Sequence, residues 1–302
     1  MRDMVEVVVV GSLNVDLAVR VPHALRRGET LLGSDLVRGG GGKGANQAVA
    51  CRRLGRSVAM VGAVGTDGDG TWMIDLLAEE GIDTSAVQRV ERATGHALIF
   101  VEPDGESTIV VSPGANAALT VGHIDAVAHA IASSPCVLAQ QEVDAAVVAR
   151  AAALSEGLFV LNPAPARALT IDVLKRVDIL VPNRHELAGL VGAAPSEDLD
   201  AIAAMARSLE GPTAVVVTLG PRGALVVEAG AIVHVPAVPA EALDATAAGD
   251  TFCAALVDGL LDGASTVEAA RWAVRVAAVT VTRQGAMDSI PQRSEVDGAA
   301  VG

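Results

Sequence analysis

An acidic residue, Asp250, follows a run of small residues at the predicted start of a helix. Ala247, Ala248 and Gly249 precede it. Apolar residues then recur at helical spacing over residues 252–261. The amide groups at a helix start lack intrahelical partners and attract anions such as phosphate. A carboxylate beside such a site could take a proton from an alcohol that attacks a phosphoryl group. The alternative interpretation is a structural acid in the first turn of the helix.

A second candidate site follows the first predicted strand. Residues Val5–Val10 are short, β-branched and ended by Gly11, which is typical of a buried strand. In open α/β sheets, ligands bind at the carboxyl ends of the strands. Asn14 and Asp16 lie two residues apart there and share a face if the chain stays extended. Together they could bind vicinal hydroxyl groups, and the alternative is a local Asx turn.

A glycine run, Gly39–Gly42, precedes Lys43 and a predicted helix that ends near residue 54. The run is superficially similar to a P-loop. A P-loop requires glycine where Val37 stands and Ser or Thr where Gly44 stands, so we exclude it. The remaining interpretations are a flexible turn or a close backbone approach to a small polar ligand. In the second case Asn46 would face the ligand from the first helical turn.

The composition narrows the classes of partner. The chain has 302 residues, of which 51% are hydrophobic and 2% aromatic. A formal net charge of −14 disfavours binding to nucleic acid or to an anionic membrane surface. The cysteines are few and scattered, which suits a reducing cytoplasm, and the first ten residues form neither a signal peptide nor a membrane span. We therefore expect a cytoplasmic protein without a nucleic-acid or membrane partner.

The elements that must position these residues alternate between strands and helices along most of the chain. This alternation predicts an α/β fold with a doubly wound, mostly parallel sheet and helices on both faces. Residues 65–70 are predicted as a turn before a helix over 72–80. Two segments, about 17–37 and 94–112, leave the alternation, and the second contains the turn signal Pro103-Asp104-Gly105. We expect both to form a small β-sheet lid inserted within a single domain spanning 1–302.

Five motifs, taken in order, resemble the ribokinase family of ATP-dependent sugar kinases over nearly the whole chain. They are Gly11–Asp16, Gly41–Ala48, Asn183–Glu186, Thr218–Gly223 and Asp244–Phe252. Each lies at the carboxyl end of a predicted strand or at a predicted helix start. The Gly41–Ala48 and Asn162–Arg167 segments are typical of the family's ribose-phosphorylating members rather than of adenosine kinases or phosphofructokinases. Two positions depart from the family pattern: Ala245 replaces a common threonine, and Val274 stands where a polar residue often approaches adenine.

The resemblance implies a role for each residue of the first two sites. Asp250 would be the general base for the 5-hydroxyl of D-ribose, and the amides of Ala247, Ala248 and Gly249 would form an anion hole for the transferred phosphoryl group. The residues that would hold the sugar, together with Asp250, are Asn14, Asp16, Gly42, Lys43, Asn46 and Glu142.

The resemblance also implies a nucleotide site and two cation sites. ATP would contact Asn183, Thr218, Leu219, Gly220, Pro221, Arg222, Gly223 and Gly249. Glu186 would bind Mg²⁺ through water, and its alternative role is a first-turn acid favoured by the helix dipole. A K⁺ site would take the carboxylate of Asp244, the hydroxyl of Ser289 and the carbonyls of Thr246, Thr280, Arg283 and Gly285.

The predicted function is therefore ATP-dependent phosphorylation of D-ribose at the 5-hydroxyl, with Mg²⁺ accompanying ATP and K⁺ as a monovalent activator. The alternatives are a kinase for deoxyribose, a hexose or a ribonucleoside, and a non-catalytic sugar or nucleotide sensor. A dinucleotide-dependent oxidoreductase would require Gly-x-Gly-x-x-Gly after the first strand, where Gly11-Ser12-Leu13-Asn14 stands. The expected partners are ATP, a small sugar and a second copy of the chain, which would form a homodimer through the lid.

Overall fold

The computed structural model describes residues 4–103 and 105–298. The turn residue Asp104 and both ends of the predicted 1–302 domain lie outside the described residues. The strands are β1 (Val7–Val10), β2 (Asn14–Arg20), β3 (Val37–Gly41), β4 (Val58–Gly65), β5 (Val87–Val90), β6 (Gly95–Val101), β7 (Ser107–Ser112), β8 (Cys136–Gln140), β9 (Leu158–Asn162), β10 (Ile179–Leu180), β11 (Ala214–Thr218), β12 (Ala224–Glu228) and β13 (Ala231–Val235).

The helices are α1 (Lys43–Arg53), α2 (Gly68–Glu79), α3 (Val121–Ala126), α4 (Ala128–Ser133), α5 (Ala145–Leu154), α6 (Ile171–Leu174), α7 (Arg184–Val191), α8 (Leu199–Arg207), α9 (Ala248–Leu261), α10 (Thr266–Thr280) and α11 (Arg293–Gly298). Short 3-10 helices cover Gly114–Ala118, Gly220–Arg222 and Met287–Ser289. Among the described residues, no helix is both long enough and apolar enough to cross a bilayer.

Within the described residues, the main sheet has nine strands in the order β13-β12-β11-β10-β9-β8-β1-β4-β5. Pairing is parallel from β11 to β5, and β12 and β13 are antiparallel. The central strand β1 is buried on both faces, which explains its uninterrupted valines. Val7 and Val9 pack in the core beneath α1, α9 and α10, whereas Val8 and Val10 pack in the core on the opposite face. The predicted fold class is therefore confirmed.

A separate four-stranded sheet has the order β3-β2-β6-β7. Strand β2 pairs antiparallel with β3 and parallel with β6, so that Asn14 lies opposite Gly41 and Gly95. The first three residues of the glycine run, Gly39–Gly41, thus lie in a strand rather than in a flexible turn, because main-chain pairing with β2 outweighs the low strand propensity of glycine. Most of the segment between residues 21 and 36 has no regular structure.

The structure differs from the sequence predictions at several elements, of which α2 and β13 are two examples. Helix α2 begins at Gly68, inside the predicted turn, because the Asp67 side chain accepts a hydrogen bond from the amide of Gly70 and caps the helix. The sequence pattern did not predict β13. Its residue Ile232 is exposed and its neighbours are only half-buried, so the strand lacks a clear apolar and polar alternation.

Candidate active site

The first turn of α9 positions Asp250. The residue before the helix, Ala247, has a φ of 60°, in the left-handed region that alanine rarely adopts. Backbone strain of this kind costs about 1–3 kcal/mol and is concentrated at functional sites. The Ala248 amide donates to the carbonyl of Ala245 at 3.2 Å, and an added Cβ at Gly249 would meet open space. The backbone here is therefore constrained by something other than side-chain packing.

Asp250 is buried and accepts hydrogen bonds from two side-chain amides of α1. Asn46 Nδ2 donates to Oδ2 and Gln47 Nε2 donates to Oδ1, each at 2.9 Å. These residues are separated from Asp250 by more than 200 positions in the sequence. The contact between α1 and α9 across the top of the sheet brings them together. Neutral donors on both oxygens fix the orientation of the carboxylate and leave its charge uncompensated by any direct ion pair among the described residues.

Sequence reasoning missed three amide side chains around this carboxylate. Gln47 Nε2 also donates to Asn162 Oδ1 at 3.3 Å, and Gln47 Oε1 accepts from Gln140 Nε2 at 2.6 Å. Gln140 and Asn162 are the last residues of the neighbouring parallel strands β8 and β9. Polar residues that end adjacent buried strands were the available signal for them.

The predicted sugar-binding residues Asn14 and Asp16 lie on the same face of β2, as expected from their spacing. Asn116 donates to Asn14 Oδ1 at 2.8 Å and accepts from the amide of Leu13 at 2.9 Å, so it orients Asn14. The Asp16 carboxylate lies over β3, where an added Cβ at Gly41 would approach both carboxylate oxygens to 2.2 Å. Glycine at this position is therefore a requirement of the site.

Glu142 closes the same side of the site. Its Oε2 accepts a hydrogen bond from the Ser12 hydroxyl at 2.5 Å and from the Lys43 amide at 3.0 Å. Burial, together with the negative charges of Glu142 and Asp250, raises the pKa of Asp16 to about 7. The carboxylates of Asp16, Glu142 and Asp250 thus surround one region, and Asp16 has no ion pair among the described residues. This arrangement suits a ligand whose hydroxyl groups donate hydrogen bonds.

On the other side of Asp250 lies a cavity of about 170 Å³. The predicted site residues that line it are Lys43, Asn183, Glu186, Thr218, Ala247, Gly249 and Asp250. Asp250 raises the pKa of Lys43 more strongly than burial lowers it, so the ammonium group stays charged there. The cavity therefore joins a cation, the base and the start of α9.

Asn183 and Glu186 form a reciprocal cap at the start of α7. Asn183 Oδ1 accepts from the Glu186 amide at 2.8 Å, and Glu186 Oε2 accepts from the Asn183 amide at 2.7 Å. Glu186 thus has the structural role given above as its alternative, that of an acid in the first turn of a helix. Burial raises the pKa of Glu186, although the bond from the Asn183 amide opposes this effect. A cation near this carboxylate would relieve the cost of burying its charge.

The predicted nucleotide turn follows β11. Gly220 has a φ of 60° with open space around it, whereas an added Cβ at Gly223 would lie 2.1 Å from the carbonyl oxygen of Val235. Close packing against β13 therefore explains why residue 223 is a glycine. Arg222 is paired with Glu197, and Leu219 is buried. Of the residues predicted in this turn, only Thr218 lines the cavity.

The predicted K⁺ residues lie behind the start of α9. Asp244 Oδ1 accepts from the amide and hydroxyl of Thr246, and Oδ2 accepts from the amide of Gly285 at 3.0 Å. Burial acts to raise the pKa of Asp244, but these hydrogen bonds outweigh it and hold the pKa below its usual value. Ser289 donates to the carbonyl of Ala286, and the Thr280 carbonyl accepts from the Arg283 amide. Asp244 thus links the two loops that contain most of the predicted oxygen ligands.

Comparison with known proteins gives the class. A family model described as pfkB family carbohydrate kinase matches residues 4–293. The chain belongs to the pfkB family of carbohydrate kinases, which confirms the resemblance based on the five motifs. Phosphoryl transfer from ATP in such kinases employs a divalent metal ion.

Individual relatives are more specific. The chain is 39% identical to a ribokinase of Haemophilus influenzae, with 95% of each chain covered. It is 36% identical to a deoxyribokinase of Salmonella typhimurium, again with 95% of each chain covered. The solved structure of Arabidopsis thaliana ribokinase complexed with ribose and ATP matches with a TM-score of 0.90 and 30% identity, covering 96% of each chain.

Proposed function

We propose that the chain catalyses ATP-dependent phosphorylation of D-ribose at its 5-hydroxyl. The observation that carries this proposal is the position of Asp250, which lies between the polar sugar-binding side of the site and the cavity lined by Lys43 and Glu186. A carboxylate at this junction can accept a proton from an alcohol on one side while that alcohol attacks a phosphoryl group on the other. The ribokinase relatives support the choice of ribose.

In this proposal the sugar is held by side chains whose polar atoms remain free to form hydrogen bonds with its hydroxyl groups. The oxygen Oδ1 of Asn46 is buried and has no hydrogen-bond partner among the described residues, so a sugar hydroxyl would satisfy it. Asp16 and Glu142 accept further hydroxyl donors, and Asn14, whose Oδ1 accepts from Asn116, has its Nδ2 left to donate to a sugar oxygen. Gly42 allows the close backbone approach, with a φ of 86°. A ligand rich in hydroxyl groups and without charge fits this set.

The transferred phosphoryl group is stabilised by the start of α9 and by Lys43. The amides of Ala247, Ala248 and Gly249 form the proposed anion hole, and the long bond from Ala248 to Ala245 is one that a phosphoryl oxygen can replace. Lys43 adds a full positive charge beside Asp250. The residues Asn183 and Thr218 to Gly223 contact the nucleotide in this proposal.

The proposed cation sites follow from the chemistry of the oxygen donors. Glu186 is a half-buried carboxylate at the cavity with a raised pKa, and it would hold Mg²⁺ through water near the triphosphate. Mg²⁺ neutralises charge on the phosphates when it is bound. The carboxylate, hydroxyl and carbonyl oxygens around Asp244 suit K⁺, which would support the loop behind the anion hole.

The small sheet is the proposed lid and dimer contact. It presents exposed apolar side chains on both faces, Leu98 and Val110 on one and Ile109 on the other. Such a sheet needs a further layer to bury them, and a second copy of the same surface supplies it. Sedimentation of the wild type and of Ile109→Lys tests this contact, because a monomeric wild type would remove the dimer from the proposal.

The central experiment is an acceptor panel. Purified protein with MgATP and K⁺ is offered ribose, deoxyribose, hexoses and ribonucleosides, and ADP release is followed. We expect the highest kcat/KM with ribose. Higher kcat/KM with deoxyribose would favour the second candidate, which the similarity to the Salmonella deoxyribokinase supports. Absence of turnover with tight sugar or nucleotide binding would favour a sensor.

Two further measurements test the cation and lid proposals. Activity should rise when K⁺ replaces a large organic cation, and equal rates would refute the K⁺ site. Hydrogen exchange in β2, β3 and β6 should slow when ribose binds. Equal exchange rates with ribose demonstrably bound would leave the small sheet without a closing motion.

A further inference from the structure

The Gln47 side chain donates a hydrogen bond to Oδ1 of Asp250, the proposed base. Further hydrogen bonds to Asn162 and from Gln140 fix the Gln47 amide. We infer that Gln47 is a positioning residue, which orients Asp250 so that Oδ2 receives the proton of the acceptor hydroxyl. The inference rests on the proposed function, because it concerns how the base of that reaction is oriented.

The direction of each hydrogen bond can be followed from a backbone carbonyl. The carbonyl of Val181 can only accept, so Asn162 must direct Nδ2 towards it, at 2.8 Å. Asn162 therefore directs Oδ1 towards Gln47, which must present its NH₂ group. One N–H of this group reaches Asn162, and the other reaches Asp250 Oδ1 at 2.9 Å. A backbone group thus determines that Gln47 donates to the base.

The other end of the Gln47 amide is held as well. Gln47 Oε1 accepts from Gln140 Nε2 at 2.6 Å, and Gln47 itself is fully buried. An added Cβ at Gly11 would lie 2.0 Å from Gln140 Oε1, so the glycine that ends β1 leaves room for the Gln140 side chain. The Gln47 amide therefore has one orientation, with all three of its hydrogen-bonding groups engaged.

This arrangement distinguishes the two oxygens of Asp250. Oδ1 faces Gln47 and the amides at the ends of β8 and β9, which lie beneath the site. Oδ2 faces Asn46, whose own Oδ1 is buried without a hydrogen-bond partner among the described residues. Because Asn46 is assigned to the sugar site, the acceptor hydroxyl meets Oδ2, and the Gln47 bond fixes the carboxylate in the orientation that presents Oδ2.

The test compares Gln47→Met with the wild type and with Gln141→Met. Methionine keeps the length and burial of glutamine and removes its donors. Gln141 is also a buried glutamine, and within the described part of the chain its side chain bonds only to the backbone of Arg167, which makes it a matched control. Measurements are kcat and sugar KM as a function of pH, with thermal unfolding and ATP binding to show that each variant is folded.

We expect Gln47→Met to lower kcat by about 10- to 100-fold, since small displacements of a catalytic group have effects of this size. Sugar KM should change by less than about 3-fold, because Asn46, Asp16 and Glu142 remain. Gln140→Met should produce a smaller change in the same direction, and Gln141→Met should change neither quantity.

Each outcome decides between the possibilities. A folded Gln47→Met variant with wild-type kcat overturns the inference, and so does an equal loss of kcat in Gln141→Met. If Gln47→Met does not fold, the fall in kcat of Gln140→Met at unchanged sugar KM carries the test, and its absence overturns the inference. A wild type inactive on every sugar refutes the proposed function instead, and the inference falls with it.

Discussion

Helix α9 carries two buried aspartates that have opposite surroundings. Asp250 in its first turn is 6% exposed, and Asp258 two turns later is 1% exposed. Asp250 accepts hydrogen bonds from the neutral amides of Asn46 and Gln47. Asp258 is paired with two arginines and also accepts a hydrogen bond from an indole group. The two carboxylates are thus buried by the same helix but are stabilised in different ways.

The surroundings of Asp258 leave no capacity for a ligand. Arg56 Nε donates to Oδ1 at 2.7 Å, and Arg293 Nη2 donates to both oxygens at 2.6 Å. Trp272 Nε1 donates to Oδ2 at 2.8 Å. Together these contacts tie α9 to the start of β4, to α10 and to α11. The physical role of Asp258 is to hold elements together, and its charge is neutralised within the protein.

The difference teaches how a buried carboxylate is kept reactive. A guanidinium partner stabilises the ionised form so strongly that proton uptake becomes unfavourable. Amide donors orient the carboxylate of Asp250 without pairing its charge, which suits the role of general base proposed for it. Burial alone therefore does not distinguish the proposed base from the structural aspartate, whereas the chemical type of their hydrogen-bond partners does.

The largest expected effect is on the turnover of Asp250→Asn. Asparagine keeps the shape and removes the base, so kcat should fall by about 10²–10⁴-fold. ATP and ribose should still bind, and thermal unfolding should show no large loss of stability, because no ion pair is broken. Steady-state kinetics and calorimetric binding measure these quantities. Turnover near that of the wild type would contradict the assignment of the base.

Asp258→Asn should produce the reverse pattern. The substitution leaves Arg56 and Arg293 without their shared carboxylate, and breaking a buried ion pair in this way costs about 3–5 kcal/mol. Urea unfolding measures the loss of stability. The folded enzyme should keep a kcat within about 2-fold of the wild type, since surface and structural sites distant from the reacting atoms usually act independently. A selective loss of kcat without loss of stability would remove the distinction between the two aspartates.

Asp16→Asn should show a pH-dependent gain in stability. The pKa of Asp16 in the folded protein is about 7, above its ordinary value of 3.8. The folded protein therefore holds this proton more tightly, and the associated stability is complete below about pH 4 and is lost as the pH rises through about 7. The melting temperature of the variant minus that of the wild type should be larger at pH 8 than at pH 5. Sugar binding should be lost in the variant. A stability difference between variant and wild type that does not grow with pH would refute the raised pKa of Asp16.

The smallest expected effect concerns Trp272→Phe. Phenylalanine keeps most of the packing and removes one hydrogen bond to Asp258, which should cost about 1–2 kcal/mol. Urea unfolding measures the change, and kinetics with ribose should be unaltered. A change in kcat larger than the change in stability would show that the structural aspartate is coupled to the active site.

Much of the fold was accessible from local pattern. The valine run of β1 and the apolar spacing of α9 predict a buried strand and a helix without any long-range information. The predictions failed where local preference was overridden. Gly39–Gly41 belong to β3 because β2 pairs with them, and Gly68 begins α2 because Asp67 caps it. In each case a hydrogen bond supplied by another residue compensated for the weak propensity of glycine.

The sequence by itself determined that Asp250 stands at a helix start after small residues, and that Asn14 and Asp16 follow a buried strand. These are properties of neighbouring residues, and the chain's local chemistry is sufficient for them. Only the tertiary structure decided which buried aspartate of α9 is held in ion pairs and which is held by neutral amides. Both amide partners of Asp250, Asn46 and Gln47, and one partner of Asp258, Arg56, lie about two hundred residues away along the chain. Contacts at that separation arise from the packing of α1 and the sheet against α9, which no local pattern encodes.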